Sequence, residues 1–133
     1  MYLKHLFLTL LISVQALFAN ADFNIYNAFE KAQETNRPIY YVVASAGCSH
    51  CVNYLQDTVY PSFELINKDF VFALSDISAG DKVPSNLPFN GTTPTTYILA
   101  PTGELMAAPI EGNFDETHLK TLLSKLYEAY GSN

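Results

Sequence analysis

The sequence has few cysteines and few basic residues, and both shortages exclude classes of function. Cys48 and Cys51 are the only cysteines among 133 residues, which is too few for a disulfide framework or a four-cysteine zinc site. Seven Lys and Arg stand against 13 Asp and Glu, for a formal net charge of −6. Because nucleic-acid binding needs a basic surface, nucleic acid is not an expected partner. Neither a Gly-rich phosphate loop nor the residue order of a serine hydrolase stands out.

The sequence also lacks an apolar run long enough for a stable membrane span. The N-terminal apolar stretch, residues 6–19, is short and interrupted by polar residues. It follows Lys4 and ends in Ala19-Asn20-Ala21, with small residues two apart, a pattern typical of a secretory signal peptide. We therefore predict a signal peptide over residues 1–21 and a folded domain over residues 22–133, exported and not inserted in the membrane after cleavage. An uncleaved anchor or an amphipathic helix is the alternative interpretation.

The remaining sequence alternates between helical and strand patterns. Continuous apolar runs such as Ile39–Ala44 are typical of strands buried on both faces. An early strand–helix–strand crossover followed by a hairpin predicts an α/β fold, a mixed four-stranded sheet flanked by helices on both faces. The predicted elements are helix 23–35, strand 39–44, helix 48–58, a short turn at 63–66, strand 70–74, loop 78–93, strand 95–99, strand 104–110, and a helix through 119–130 capped by Asn113 with Glu116.

The motif Cys48-Ser49-His50-Cys51 lies between the first strand and the next helix. A cysteine at a helix N-terminus is close to free backbone N–H groups and to the positive end of the helix dipole. Both favour the thiolate, so we predict a lowered pKa for Cys48 and assign it as the nucleophile. Cys51, one turn later, is predicted to resolve a mixed disulfide. Ser49, through a hydrogen bond to the sulfur, and His50, as a cation, are predicted to tune the pair.

Two other interpretations of the cysteine pair exist. A four-residue disulfide ring removes little conformational entropy from the unfolded chain, so a purely stabilising bridge is poorly placed here. A metal site would need Cys48 and Cys51 together with His50 and His118. Since His50 is adjacent to Cys51 and His118 lies among charged residues of the last helix, these four are not expected to converge on one ion. We therefore predict no metal.

Three features together resemble the thioredoxin-fold superfamily over nearly all of residues 22–133. They are the Cys48–Cys51 motif after a buried strand, Thr93-Pro94-Thr95 before the third strand, and the glycines Gly103 and Gly112 around the hairpin. The resemblance implies a thioredoxin-like fold and a cis peptide bond before Pro94. It also implies that Thr93 and Pro94 hold an extended segment of the substrate.

The Cys-x-His-Cys pattern and the threonine before the proline resemble periplasmic disulfide-handling proteins. This resemblance implies an exported thiol–disulfide oxidoreductase in the bacterial periplasm that uses no cofactor. Its partners would be protein substrates carrying thiols or disulfides, and a redox partner that recycles the cysteine pair. The direction of exchange stays open: the protein would either oxidise and isomerise its substrates or reduce them.

A binding module on the same fold, without redox turnover, is the second functional hypothesis, because a fold does not by itself determine function. In that hypothesis a groove beside Pro94, flanked by Phe89 and by Tyr40 or Tyr41, would hold a peptide.

Overall fold

The computed structural model describes residues 23–130, and the predicted signal peptide, residues 1–21, lies outside them. Four helices and four strands form the framework. They are α1 (Ile25–Thr35), β1 (Ile39–Ala44), α2 (Ser49–Tyr54), α3 (Phe63–Asp69), β2 (Val71–Asp76), β3 (Thr95–Leu99), β4 (Ile110–Glu111) and α4 (Glu116–Tyr130). Within this part of the chain, no helix is both long enough and apolar enough to cross a membrane.

The strands form one mixed sheet in the order β2-β1-β3-β4. β1 pairs in parallel with β2 and antiparallel with β3, and β3 pairs antiparallel with β4. All six residues of β1 are buried, which agrees with the continuous apolar run that predicted a central strand. The register places Ala44 beside Asp76, so the carboxyl ends of β1 and β2 meet at one edge of the sheet.

Side chains of β1 alternate between two cores. Tyr40, Val42 and Ala44 pack in a cluster with residues of α2, α3 and α4. Ile39 and its alternate neighbours face the opposite side, where α1 packs. This alternation follows from the two-residue period of a strand. The predicted α/β fold, a mixed four-stranded sheet with helices on both faces, is confirmed.

Helix α1 begins and ends at asparagines. The Asn24 side chain accepts a hydrogen bond from the Tyr26 N–H at 2.8 Å, which satisfies one of the free donors of the first turn. Asn36 adopts a left-handed conformation with φ 52°, and its N–H donates to the Ala32 carbonyl. Asparagine tolerates this conformation better than most residues, so the chain turns there into β1.

The predicted helix 48–58 begins as expected but changes its winding. After α2 the chain continues through a π-helical turn, Leu55–Val59, and a 3₁₀ turn, Tyr60–Ser62, before α3. The predicted short turn at 63–66 is the first part of α3. The π-helical turn buries Leu55, Thr58 and Val59, and this i, i+3, i+4 spacing fits one face of a regular helix as well, so the pattern does not reveal the change of winding.

Two predictions for the C-terminal part are wrong. In place of the predicted strand 104–110, the structure has the two-residue strand β4 and an isolated bridge between Leu99 and Leu105. The longer strand does not form because Pro109 has no N–H to donate and interrupts the ladder. The second wrong prediction is the cap of α4, which is Asp115 rather than Asn113 with Glu116. Asp115 directly precedes the first residue of α4, and its carboxylate accepts the His118 N–H at 2.8 Å.

Candidate active site

The turn between β1 and α2 is fixed by backbone and carboxylate hydrogen bonds. The Cys48 N–H donates to the Ser45 carbonyl at 3.0 Å. The Ala46 N–H donates to Asp76 Oδ1 at 3.2 Å, and the same carboxylate oxygen accepts the Ser78 N–H at 3.0 Å. Because Asp76 ends the neighbouring parallel strand, its carboxylate holds the turn that presents the cysteines.

Cys48 caps the N-terminus of α2 with its own side chain. Its backbone is extended (φ −94°, ψ 113°), as expected of a cap residue. Its Sγ accepts the Cys51 N–H at 3.2 Å. Cys48 is partly exposed and Cys51 is fully buried, and both thiols are free. The two sulfurs therefore occupy different environments, one open to a reaction partner and one enclosed.

This difference in environment separates the acidities of the two thiols. Burial alone would raise the pKa of Cys48, but hydrogen bonds from the Cys51 and Thr93 side chains and from the backbone N–H groups of Cys51 and His50 outweigh burial and lower that pKa. For Cys51, burial and the hydrogen bond with Cys48 raise the pKa to about 11. Of the two thiols, Cys48 is therefore the one that ionises more readily.

The Thr93–Pro94 segment lies directly against the cysteine pair. Its peptide bond is cis, the form that the resemblance implied. The Cys48 thiol points to the Thr93 carbonyl oxygen at 3.7 Å. The segment is held from both sides, by a hydrogen bond from the Thr95 hydroxyl to the Thr92 carbonyl at 2.6 Å and by one from the Gly112 N–H to the Pro94 carbonyl at 2.8 Å.

Solved structures with this architecture include thioredoxins and related oxidoreductases. A thioredoxin h from poplar is 17% identical, over 74% of this chain and 84% of its own, with a TM-score of 0.50. DsbH oxidoreductase is 14% identical, over 89% of this chain and 90% of its own, with a TM-score of 0.57. The chain has a thioredoxin fold. No protein-family model and no curated protein sequence matches it.

Ser49 and His50 occupy the exposed first turn of α2 in this thioredoxin fold. The backbone N–H of His50 is one of the groups that lower the pKa of Cys48. The His50 side chain itself is exposed to solvent. His118 lies elsewhere, exposed on α4 with its ring nitrogen 2.7 Å from the Asp115 carboxylate. Among residues 23–130, no three metal-ligating side chains are grouped.

A cleft lies beside Thr95, the residue that follows the Thr93–Pro94 segment, but one of its expected walls is absent. Phe89 is partly exposed and borders a cleft of about 520 Å³. Neither Tyr40 nor Tyr41 lines this cleft, so the prediction that one of them flanks the groove is wrong. Both belong to the central strand, whose two faces are each covered by helices. The other residues that line the cleft are Pro88, Asn90, Thr95, Tyr97, Pro109 and Glu111.

Sequence reasoning missed two groups that support the site. Asp76 lies two residues beyond the predicted end of the second strand, and the parallel pairing of β1 with β2 is the signal that would have placed it beside the cysteine turn. The hydroxyl of Tyr54 contacts those of Tyr40 and Thr96 beneath the motif. A tyrosine three residues after Cys51 lies on the same helix face, and this spacing was the available signal.

Proposed function

We propose that this protein is an exported thiol–disulfide oxidoreductase that acts on protein substrates through Cys48 and Cys51. One observation carries the proposal: a partly exposed sulfur at a helix N-terminus accepts an N–H at 3.2 Å, while its partner three residues later is buried. That asymmetry is what a nucleophile and a resolving thiol require. The thioredoxin fold of poplar thioredoxin h and of DsbH oxidoreductase supports it.

In the reducing direction, the Cys48 thiolate attacks one sulfur of a substrate disulfide. A mixed disulfide forms between Cys48 and the substrate, and the other substrate sulfur leaves as a thiolate that takes up a proton. Cys51 then loses its proton and attacks the Cys48 sulfur, which releases the second substrate thiol. Two electrons pass to the substrate and the Cys48–Cys51 disulfide remains. Oxidation of a substrate dithiol is the same sequence in reverse, and a separate redox partner restores the starting state.

The neighbouring residues have distinct roles in this proposal. Thr93 and Pro94 bind an extended segment of the substrate, so that its sulfur approaches the exposed side of Cys48. Ser49 and His50 tune the pair from the exposed turn. An exposed charge is screened by salt. The difference in the Cys48 pKa between the native protein and His50→Gln should therefore shrink at high ionic strength. Titration of the Cys48 thiolate absorbance in low and high salt tests this role.

Single-cysteine variants test the proposal. Cys48→Ala should abolish exchange with a disulfide-containing peptide, because no accessible thiolate remains. Cys51→Ala should still attack but should accumulate the mixed disulfide, which a non-reducing gel detects. The variant Cys48→Ser/Cys51→Ser separates binding from chemistry, since it should bind the peptide without exchange. Full exchange by Cys48→Ala would overturn the assignment.

The reduction potential decides the direction. Equilibration with glutathione should give a value near roughly −120 to −180 mV for a donor or shuffler of disulfides, and about −250 mV or lower for a reductant. A periplasmic location follows in this proposal from the signal-peptide pattern of residues 1–21. Fractionation of cells that express the full chain, with N-terminal sequencing of the exported product, tests both the location and the cleavage site.

A further inference from the structure

Three buried hydroxyl groups form a continuous chain beneath the cysteine motif. The Tyr54 hydroxyl lies 2.6 Å from the Tyr40 hydroxyl and 2.8 Å from the Thr96 hydroxyl. All three residues are at most 1% exposed. We call Tyr40, Tyr54 and Thr96 the hydroxyl chain. Since a buried hydroxyl without a partner is costly, each member depends on the others for its hydrogen bonds.

The hydroxyl chain joins the two segments that form the candidate site. Tyr54 is the last residue of α2 and lies three residues after Cys51, so both side chains point to the same helix face. Cys51, Tyr54 and Tyr40 share one buried cluster. Thr96 belongs to β3 and lies three residues after Thr93. The contact between Tyr54 and Thr96 therefore links the cysteine helix to the strand that follows the proline loop.

The surroundings of the Cys48 sulfur depend on the spacing of these same two segments. The Cys48 sulfur lies at the start of α2, and Thr93 faces it from the loop before β3. The Cys48 thiol points to the Thr93 carbonyl at 3.7 Å, and a hydrogen bond with the Thr93 side chain lowers the Cys48 pKa. Hydrogen bonds weaken steeply as distance and angle depart from their optimum. A displacement of α2 relative to β3 would therefore weaken the stabilisation of the thiolate by the Thr93 side chain, whereas the Cys51 N–H would move together with Cys48.

Helix α2 cannot fix that spacing alone. It has six residues, and isolated helices of this length are not stable without tertiary contacts. It also continues into the π-helical turn at Leu55–Val59 rather than into a regular helix. Tyr54 is placed at this junction, and its ring packs against Phe114 with centroids 5.0 Å apart. The hydroxyl chain supplies the directional contact that a hydrophobic interface lacks.

We propose that the hydroxyl chain is a positioning device for the cysteine pair. Tyr54 is the central positioning residue, and it holds α2 at the distance from β3 at which Thr93 faces the Cys48 sulfur. The inference rests on the proposed function, since it assigns a role in thiol–disulfide exchange. It adds that the balance between dithiol and disulfide is set partly by three hydroxyls that lie outside the Cys48–Cys51 motif.

The test uses Tyr54→Phe and Thr96→Val, which remove a hydroxyl at nearly constant volume. Without the hydroxyl chain, the Thr93 side chain should stabilise the thiolate less, so the measured pKa of Cys48 should rise. The reduced form should lose stability, so the equilibrium with glutathione should move toward the Cys48–Cys51 disulfide by roughly three- to tenfold, the factor that corresponds to one lost hydrogen bond. Thr96→Ser keeps a hydroxyl and should behave as the unmodified protein.

Tyr41→Phe is the matched control. Tyr41 is also fully buried, and its hydroxyl is 2.7 Å from the Ser75 hydroxyl, but it faces the core on the α1 side of the sheet. A general loss of stability should therefore be similar in Tyr41→Phe and Tyr54→Phe, whereas only Tyr54→Phe should shift the glutathione equilibrium and the Cys48 pKa.

The outcomes separate this inference from the proposed function. If the unmodified protein does not exchange with glutathione at all, the proposed function fails first. If it exchanges, and Tyr54→Phe and Thr96→Val leave both the Cys48 pKa and the equilibrium unchanged, the hydroxyl chain is only a packing feature and the inference is overturned. An equal shift in Tyr41→Phe would overturn it as well. The double variant Tyr54→Phe/Thr96→Val should shift the Cys48 pKa and the glutathione equilibrium no further than either single variant. That result supports one shared hydrogen-bonded contact.

Discussion

Selective alkylation of Cys48 over Cys51 is the most direct consequence of the site. An ordinary cysteine thiol has a pKa of about 8.5, and the pKa of Cys48 lies below its ordinary value while burial raises that of Cys51 to about 11. A gap of more than about two units makes the thiolate fraction of Cys48 more than roughly a hundredfold larger at neutral pH. The lower basicity of that thiolate reduces its nucleophilicity and leaves a rate advantage of roughly tenfold or more.

Iodoacetamide alkylation of the reduced protein, followed by peptide mass spectrometry, measures the two rates separately. The rate at Cys48 should rise with pH only up to the Cys48 pKa and then reach a plateau, because the thiolate is the reacting species. The plateau should begin below pH about 8.5, the pKa of an ordinary thiol. In Cys51→Ala the plateau should move to higher pH, because the Cys51 thiol is one of the groups that lower the Cys48 pKa.

Protein unfolded in urea is the control, since both cysteines should then react at similar rates and with an ordinary pH dependence. Equal rates at Cys48 and Cys51 in the folded protein would refute the reasoning. A Cys48 plateau at or above the pH of the unfolded control would refute the role of the helix N-terminus. Retention of the Cys48 plateau in Cys51→Ala would refute the contribution of the Cys51 thiol to the shift.

Three further substitutions test the supports of the fold. Gly103 has φ +92° and an added Cβ would lie 3.3 Å from the Phe29 ring, so Gly103→Ala should lower the free energy of unfolding by about 1–3 kcal/mol in urea titration. Asp76→Ala leaves the Ala46 N–H without its carboxylate acceptor and should cost about 1–3 kcal/mol, with slower Cys48 alkylation at neutral pH; an unchanged rate would contradict its role in the turn. Leu119 is fully buried, and Leu119→Ala should cost about 2–5 kcal/mol; a loss below about 1 kcal/mol would contradict its place in the core.

The sequence was most informative where one local rule decided the structure. Strands β1 and β3 have the predicted bounds, because continuous apolar and β-branched runs bounded by proline or by a turn leave little freedom. Cys48 lies at the start of α2 as predicted. In each case the deciding residues are neighbours in sequence, so the pattern and the structure contain the same information.

The errors occurred where distant contacts decided the structure. Leu55 and Val59 pack in a core cluster with residues of the sheet and α4, but their spacing fits a regular helix as well, so the local pattern does not reveal the π-helical turn. Strand β4 is short because Pro109 interrupts a hydrogen-bond ladder that must also match the position of β3. Asp115 caps α4 although Asn113 was an equally suitable residue type, since the exact start of a helix depends on where its buried face must lie.

The same distinction applies to the candidate site. The motif predicts which atoms react. The side chains of its two exposed residues, Ser49 and His50, are not the groups that contribute most to the difference between the two sulfurs. Those groups are a backbone N–H of Cys51, the Thr93 segment and burial. Their positions depend on Asp76 and on the hydroxyl chain, whose partners lie 14 to 42 residues apart in sequence. Two thioredoxin folds with the same four-residue motif can therefore differ in reduction potential through residues outside the motif.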